Sequence, residues 1–235
     1  GKGVLMCATE QEAHEAVDHL ALRPLPEPAR TRLLLAEARL AAAAGRGRTA
    51  WASLERAVEA ADALGVAAGA PLAEAARIEL IRLALRAGRV GRAAEVAASL
   101  GSAPGPRPAL VTAAVRVGAG DRGAAEGLDA RADELLVAEG PRAAELIADT
   151  AGLALVWAER YDAADRLLAR LTRVARREAD RTALPGLLGV RALADLRANR
   201  HRSAAAHAAE AVQLADADDR PGLASLPAAV LAVAE

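Results

Sequence analysis

An Arg or Asp placed in a turn is followed by alanine four residues later at five places along this chain. The pairs are Arg46 and Ala50, Arg89 and Ala93, Asp121 and Ala125, Arg160 and Ala164, and Arg200 and Ala204. Successive turn residues are 43, 32, 39 and 40 positions apart, close to the roughly 34 to 47 residues of repeats built from two helices. The pattern predicts a helix-turn-helix repeat, which is typical of scaffolds that bind a partner.

The residues around these alanines share a second register. Twelve positions before each alanine lie Ala38, Ile81, Ala113, Gly152 and Ala192, and seven positions after it lie Ala57, Leu100, Ala132, Leu171 and Ala211. Most of these residues are small, as is needed where two helices touch. The combined register resembles the tetratricopeptide pattern, although Leu34, Leu54 and Leu168 stand where that family carries bulky aromatic residues.

The kind of apolar residue favours helices over strands. Alanine makes up more than a quarter of the 235 residues, there is no Phe, and the aromatic residues are Trp51, Trp157 and Tyr161. Alanine is the best helix former, whereas strands favour β-branched and aromatic side chains. We therefore predict an all-α fold, with Trp157 in its core or, as the alternative, lining a pocket.

Proline and glycine divide the chain into helix pairs, since proline suits the first helical position and glycine the residue after a helix. A capping box at Thr9 and Glu12 predicts the start of a short helix that ends near Leu22. This helix belongs to an N-terminal helix and linker over residues 1–27. The predicted helix pairs cover 28–65, 71–101, 106–140, 141–180 and 181–219, followed by an unpaired half repeat over 221–235. Because of the resemblance above, we expect one domain, a tetratricopeptide-like right-handed superhelix of about five antiparallel helix pairs.

Charge and cysteine content exclude several classes. Thirty basic and 31 acidic residues nearly cancel, unlike the basic balance of a dedicated nucleic-acid binder. The sequence contains no stretch of about 18 uncharged apolar residues, so no membrane span is predicted. The single Cys7 cannot form an internal disulfide and no secretory signal pattern opens the chain, which favours a cytoplasmic location.

Two sets of residues are candidates for binding. The first helices of the pairs carry mixed charges that would suit a peptide or a polar small molecule on a concave surface. These residues are Glu37, Arg77, Glu79, Arg82, Arg116, Glu145, Asp149, Arg191 and Asp195. The second set is a basic stripe on the second helix of the fourth pair, where Arg166, Arg170, Arg173 and Arg177 follow steps of four, three and four. A solvated helix face is the favoured interpretation of this stripe, and contact with an acidic partner, a phosphate or DNA is the alternative.

Patterns that suggest chemistry have simpler explanations. Residues 118–123 match Gly-x-Gly-x-x-Gly but lack the preceding strand of a dinucleotide site, so we predict a turn between helices. His14 and His19 are five apart, which would point them to different sides of a helix, so no metal site is predicted. His201 and His207 have no carboxylate cluster nearby in sequence and are expected to be exposed helix or turn residues. No cofactor site is predicted.

Segments 25–40 and 158–171 resemble the helical-repeat region of the large ATP-binding LuxR-type, MalT-like, bacterial transcriptional regulators. The resemblance implies a non-enzymatic sensor that binds a protein, peptide or small-molecule effector. The chain has no Gly-x-x-x-x-Gly-Lys-Ser/Thr motif, so ATP and DNA would be bound only by domains outside it, and we expect it to be a middle piece of such a protein.

Two alternatives are open. One is a free-standing tetratricopeptide-like adaptor that binds a protein, with a homodimer also conceivable. The other is a small helical enzyme, which predicts a deep pocket where polar groups converge and at least one carboxyl or histidine has a strongly perturbed pKa.

Overall fold

The structure is a computed structural model that describes residues 15, 17, 19, 25–101, 104–178, 180 and 182–234. The secondary structure of these residues is helical, without strands, which confirms the prediction of an all-α chain. The predicted helix near Thr9 and Glu12 falls almost entirely outside the described residues, as do Cys7 and His14. No helix among those described is both long and apolar enough to cross a membrane.

The helices alternate between two positions in the molecule. In chain order they are α1 (Glu27–Ala43), α2 (Gly47–Ala63), α3 (Val66–Arg86), α4 (Val90–Leu100), α5 (Pro106–Gly118), α6 (Leu128–Glu139), α7 (Ala144–Ile147, Ala148–Gly152 and Leu153–Trp157), α8 (Tyr161–Arg177), α9 (Leu184–Arg197), α10 (His201–Ala217) and α11 (Pro221–Ala234). Consecutive helices pack against each other. Odd-numbered helices also contact the next odd-numbered helix, and we call them the inner helices and the even-numbered ones the outer helices.

The predicted turns share one backbone geometry. The second residue after each inner helix from α1 to α9 has a positive φ, for example 73° at Gly45, 67° at Gly88 and 60° at Glu159. The next residue then donates its N–H back to the helix, as Arg46 does to the Ala41 carbonyl at 2.7 Å. This arrangement ends a helix while satisfying its free carbonyls. The φ and ψ angles of Arg46, Arg89, Arg160 and Arg200 agree within a few degrees, near −90° and 60°.

Every small-residue position of the repeat register is buried. The five alanines after the turns are no more than 1% exposed, and the residues twelve before and seven after them are buried as well. At Gly152 an added Cβ would lie 3.0 Å from Leu168 Cδ2. The small residues at these buried positions therefore let inner and outer helices approach closely.

The middle of the chain is less regular than predicted. Within the predicted pair 106–140, the second helix starts only at Leu128, after a short 3-10 turn over Arg122–Ala125. The Asp121 side chain accepts a hydrogen bond from the Ala124 N–H at 3.3 Å, and Gly127 then takes a φ of 77° that interrupts the helix. The next inner helix follows a second 3-10 turn and contains a π-helical segment, Ala148–Gly152.

The helix α3 begins five residues earlier than predicted, at Val66. Its early start depends on Gly69, because a Cβ there would lie 1.9 Å from the Ala61 carbonyl oxygen. Proline at residue 71 therefore lies inside the helix, not at its first position.

The inner helices form a closed series of contacts, since α11 at the end of the described chain also touches α1 at its beginning. At this closing contact, a Cβ added to Gly222 would lie 2.1 Å from the Ala42 carbonyl oxygen and 2.6 Å from the Gly45 nitrogen. The sequence predicts an unpaired helix at this end. In the structure it packs on α9 and α10, and its first turn covers the end of α1.

Candidate ligand-binding cavity

The inner helices surround a cavity of about 730 Å³. Helices α1, α3, α5, α7, α9 and α11 all contribute side chains to its wall, and α2 adds Gly47, Ala50 and Leu54. Residues on both sides of the closing contact, such as Arg39, Ala42 and Gly222, line it too. The shape of the cavity therefore depends on the two ends of the helical array staying together.

Part of the wall is apolar. It includes Ile78, Leu83, Leu146, Leu153, Trp157 and Leu193. Trp157 was predicted to be a core residue, and it both packs against the core and lines the cavity. Its ring is held next to Gly118, where a Cβ would lie 3.1 Å from Trp157 Cζ3. The cavity thus offers an indole and several leucines to an apolar group.

The polar part of the wall is built around α3 and α7. Glu79, Arg82 and Arg86 are three and four residues apart on α3, so they lie on one face of that helix. Glu145 and Asp149, four apart on α7, lie against that face. We call these five residues the inner charge cluster.

Arg82 is the centre of the inner charge cluster. Its guanidinium lies 3.1 Å from Glu79 Oε2, 3.3 Å from Glu145 Oε1 and 3.7 Å from Asp149 Oδ2. Burial alone would lower the pKa of Arg82, but the carboxylates of Glu145, Glu79 and Asp149 outweigh burial and raise it. Arg82 therefore stays charged and holds three carboxylates together.

Glu79 remains ionised for a similar reason. Burial would raise the pKa of Glu79, but the guanidiniums of Arg82 and Arg39 bring it below its usual value. Arg39 donates to Glu79 Oε1 from both Nε, at 3.0 Å, and Nη2, at 2.8 Å. This contact also links α1 to α3.

Asp149 is in a different environment. Its side chain is 1% exposed within the π-helical segment, and Oδ1 has no hydrogen-bond partner among the described residues. Burial raises the pKa of Asp149, although Arg86 at 3.4 Å and Arg82 oppose this rise. Asp149 does not itself line the cavity, but it contacts two arginines that do.

Positive charge exceeds negative charge in the cavity wall. The ionisable residues that line it are six arginines and two glutamates, namely Arg39, Arg82, Arg86, Arg107, Arg142, Arg220, Glu79 and Glu145. Glu139, which pairs with Arg107, and Asp149 add two negative charges just outside the wall. An excess of arginine remains, so the cavity attracts anions.

The structure brings together only part of the predicted concave set. Arg82, Glu145 and Asp149 meet in the inner charge cluster, with Glu79. The other predicted residues do not line the cavity. Arg77 pairs with Asp62 at 2.7 Å, Arg116 with Asp121, and Arg191 with Asp165, whereas Glu37 is half-buried on α1.

Several lining residues were missed by the sequence analysis. Arg86 carries a usable signal, because it lies four residues after Arg82 on the same helix face. Arg39, Arg107, Arg142 and Arg220 lie on separate elements, so no spacing relates them.

The predicted basic stripe lies on the outer helix α8. Arg170 forms an ion pair with Asp133 of α6, whereas Arg166, Arg173 and Arg177 are exposed. None of the four lines the cavity, so the stripe belongs to the outer surface.

His201 is exposed, as predicted, whereas His207, which was also predicted to be exposed, is half-buried. Its Nδ1 lies 2.9 Å from Oδ2 of the buried Asp195, whose Oδ1 accepts from Arg200 Nε at 2.7 Å. The turn between α9 and α10 brings these residues together from twelve positions apart. The prediction of a turn within residues 118–123 is confirmed, with Gly120 at a φ of 101°.

No group of three or more His, Cys, Asp or Glu side chains that could hold a metal ion occurs in the described part of the chain. Comparison of the chain with protein-family models, with curated proteins and with solved structures finds no match.

Proposed function

We propose that this chain is the effector-binding sensor region of a regulator, and that the effector binds in the cavity between the inner helices. The observation that carries the proposal is the cavity of about 730 Å³ with a charged wall and an apolar wall. Ligand sites in proteins typically have volumes of roughly 300 to 1,000 Å³ and combine an apolar lining with a few polar groups.

The closing contact supports a sensing mechanism. Because Arg39 and Ala42 of α1 and Gly222 of α11 line the same cavity, a bound molecule would touch both ends of the array. A ligand that prefers the closed arrangement would shift the population toward it. Domains attached to either end would then report the change.

The regulatory context follows the sequence resemblance. We propose a tetratricopeptide-like right-handed superhelix of about five helix pairs within a cytoplasmic LuxR-type transcriptional regulator. The repeated turn geometry and the buried small-residue register support the tetratricopeptide-like part. DNA and ATP would be bound by other domains.

An enzyme is the second candidate, because the pocket and the raised pKa of Asp149 are features expected of one. The position of Asp149 argues against it, since Arg82 and Arg86 lie at the cavity wall and Asp149 does not. A substrate in the cavity would therefore meet guanidiniums before that carboxyl. A free-standing adaptor, which would bind a protein through exposed residues such as Arg166 and Arg173 of α8, is the third candidate.

Thermal-shift measurements with panels of sugars, nucleotides, peptides and organic acids test the sensor proposal. A ligand at 100 times its Kd stabilises the folded protein by about 2.7 kcal/mol and so raises Tm. Leu83→Trp would fill part of the cavity and should abolish the shift. Val137→Trp, at a side chain that is 87% exposed on α6, is the matched control and should retain it.

A shift that Leu83→Trp leaves intact, or the absence of a shift with every panel, would contradict the proposal. Conversion of the bound compound to a product would favour the enzyme instead.

A further inference from the structure

We propose that the effector is an amphiphilic organic anion, that is, a small molecule with a carboxylate, phosphate or sulfonate group beside an apolar body. This inference rests on the proposed function and specifies the ligand chemistry of the same cavity. It follows from the charge of the wall, from unused arginine donors and from the apolar residues around them.

The described residues do not neutralise all the arginines of the wall. Arg142 forms no ion pair with a described residue. Arg220 donates from Nη1 to the Thr182 carbonyl at 3.1 Å, and Arg86 contacts only Asp149 among its described carboxylate neighbours. A guanidinium carries five N–H donors, so these three residues keep donors for an anionic group. Arginine also binds carboxylate and phosphate with two parallel hydrogen bonds.

The carboxylates of the wall are already used. Glu79 contacts both Arg39 and Arg82, and Glu145 contacts Arg82. A cationic ligand would have to compete with Arg39 and Arg82 for these carboxylates and would also meet the excess positive charge. A neutral polar ligand would leave that charge unpaired, whereas an anion pairs with it.

The apolar wall argues for a ligand that is more than a bare inorganic ion. Leu83, Leu146, Leu153 and Trp157 lie on α3 and α7, the helices that also carry Arg82 and Glu145. A ligand with an apolar part could cover these residues while its anionic group meets the arginines. Burial of apolar surface is favourable, so the apolar part would add to affinity.

A matched pair of fluorescent probes tests the inference on the whole chain. Anilinonaphthalene sulfonate and phenylnaphthylamine share the same ring system, but only the first carries an anionic group. Fluorescence titration should show the sulfonate binding about tenfold more tightly or better, as expected of a charge-assisted contact with arginine. Leu83→Trp should weaken both probes, because it occupies space that both need.

Arg142→Gln tests the charge directly, because Arg142 is exposed and its loss breaks no ion pair with a described residue. It should weaken the sulfonate about fivefold and leave the neutral probe unchanged. Arg173→Gln on α8 removes the same charge from the outer surface and should change neither affinity.

The outcomes separate the two proposals. Equal binding of both probes, or equal effects of Arg142→Gln and Arg173→Gln, would overturn the anionic ligand class while leaving a cavity that binds ligands. Probe binding that Leu83→Trp does not change would show that the cavity is not the site, and would overturn the proposed function as well.

Discussion

The inner helix α3 and the outer helix α8 carry similar charge patterns but place them in different surroundings. In each helix, charged residues that include arginines follow one another at steps of three or four and so lie on one helix face. On α3, Arg82 is 16% exposed and contacts three carboxylates. On α8, Arg176 is 53% exposed and, among the described carboxylates, contacts Glu210 alone, at 2.6 Å. The comparison shows that burial, more than spacing, decides whether such charges are tied to the fold.

The largest expected difference between the two surfaces is in stability. Arg82→Met removes the cation that the buried Asp149 shares with the half-buried Glu79 and Glu145, so the free energy of unfolding should fall by about 3–5 kcal/mol. Arg176→Met breaks a pair that water screens and should cost less than about 1 kcal/mol. Urea denaturation of both variants measures the difference. Equal losses would mean that the inner charge cluster contributes no more than a surface pair.

A glycine at the closing contact and a glycine on an outer helix form a matched pair that tests this contact. Gly222→Ala would place a Cβ against the Ala42 carbonyl, and separating α11 from α1 should cost about 1–3 kcal/mol, as expected of overpacking. Gly91→Ala on α4 has no atom within 4 Å of the new Cβ and should not reduce stability.

Small-angle scattering gives the structural readout for the same pair of variants. The radius of gyration should rise for Gly222→Ala and stay constant for Gly91→Ala. An unchanged radius for Gly222→Ala, together with unchanged stability, would show that the ends are not held by this contact.

The smallest expected effect concerns pH. Burial raises the pKa of Asp149 above its unfolded value of about 3.9, so the folded protein holds this proton to higher pH than the unfolded chain does. The contribution of Asp149 to stability is then fully present below pH of about 4 and is lost as pH rises through the raised pKa. Asn does not titrate, so the stability of the wild type relative to Asp149→Asn should fall as pH rises over this window.

Two comparisons keep that experiment interpretable. The contribution of Glu79 to stability has the opposite pH dependence, because its pKa is lowered and the contribution is lost as pH falls. Glu79 is present in both the wild type and Asp149→Asn, so its contribution cancels in their difference. Asp133→Asn makes the same substitution on the outer surface, where the side chain is 50% exposed, and serves as the matched control. Urea denaturation across the pH range measures each difference, and parallel pH profiles for Asp149→Asn and the wild type would contradict the assignment.

The regular part of the fold was predictable from sequence because local rules specify it. The turns at Gly45 and Gly88 end helices through positive φ, and Ala50 and Ala93 are the small residues that the following contact needs. The irregular middle was not predictable. The side-chain hydrogen bond of Asp121 and the interruption at Gly127 compete with helix propensity, and spacing does not show which will prevail.

The candidate site was predictable only in part. Arg82, Glu145 and Asp149 were correctly placed on inner helices, since the repeat register assigns each residue to an inner or an outer helix. The curvature of the whole array decides which charged residues of the inner helices meet. The sequence analysis therefore grouped Arg116 and Arg191 with the cavity residues, although they pair with Asp121 and Asp165.

The sequence alone determined the helical class, the turns and the small residues at the contacts, because these depend on interactions within one repeat. The tertiary structure decided that α11 reaches α1, that the inner helices enclose a cavity and that arginines from separate repeats gather in its wall. Small rotations between successive helix pairs accumulate along the chain, and local sequence patterns do not determine the total rotation.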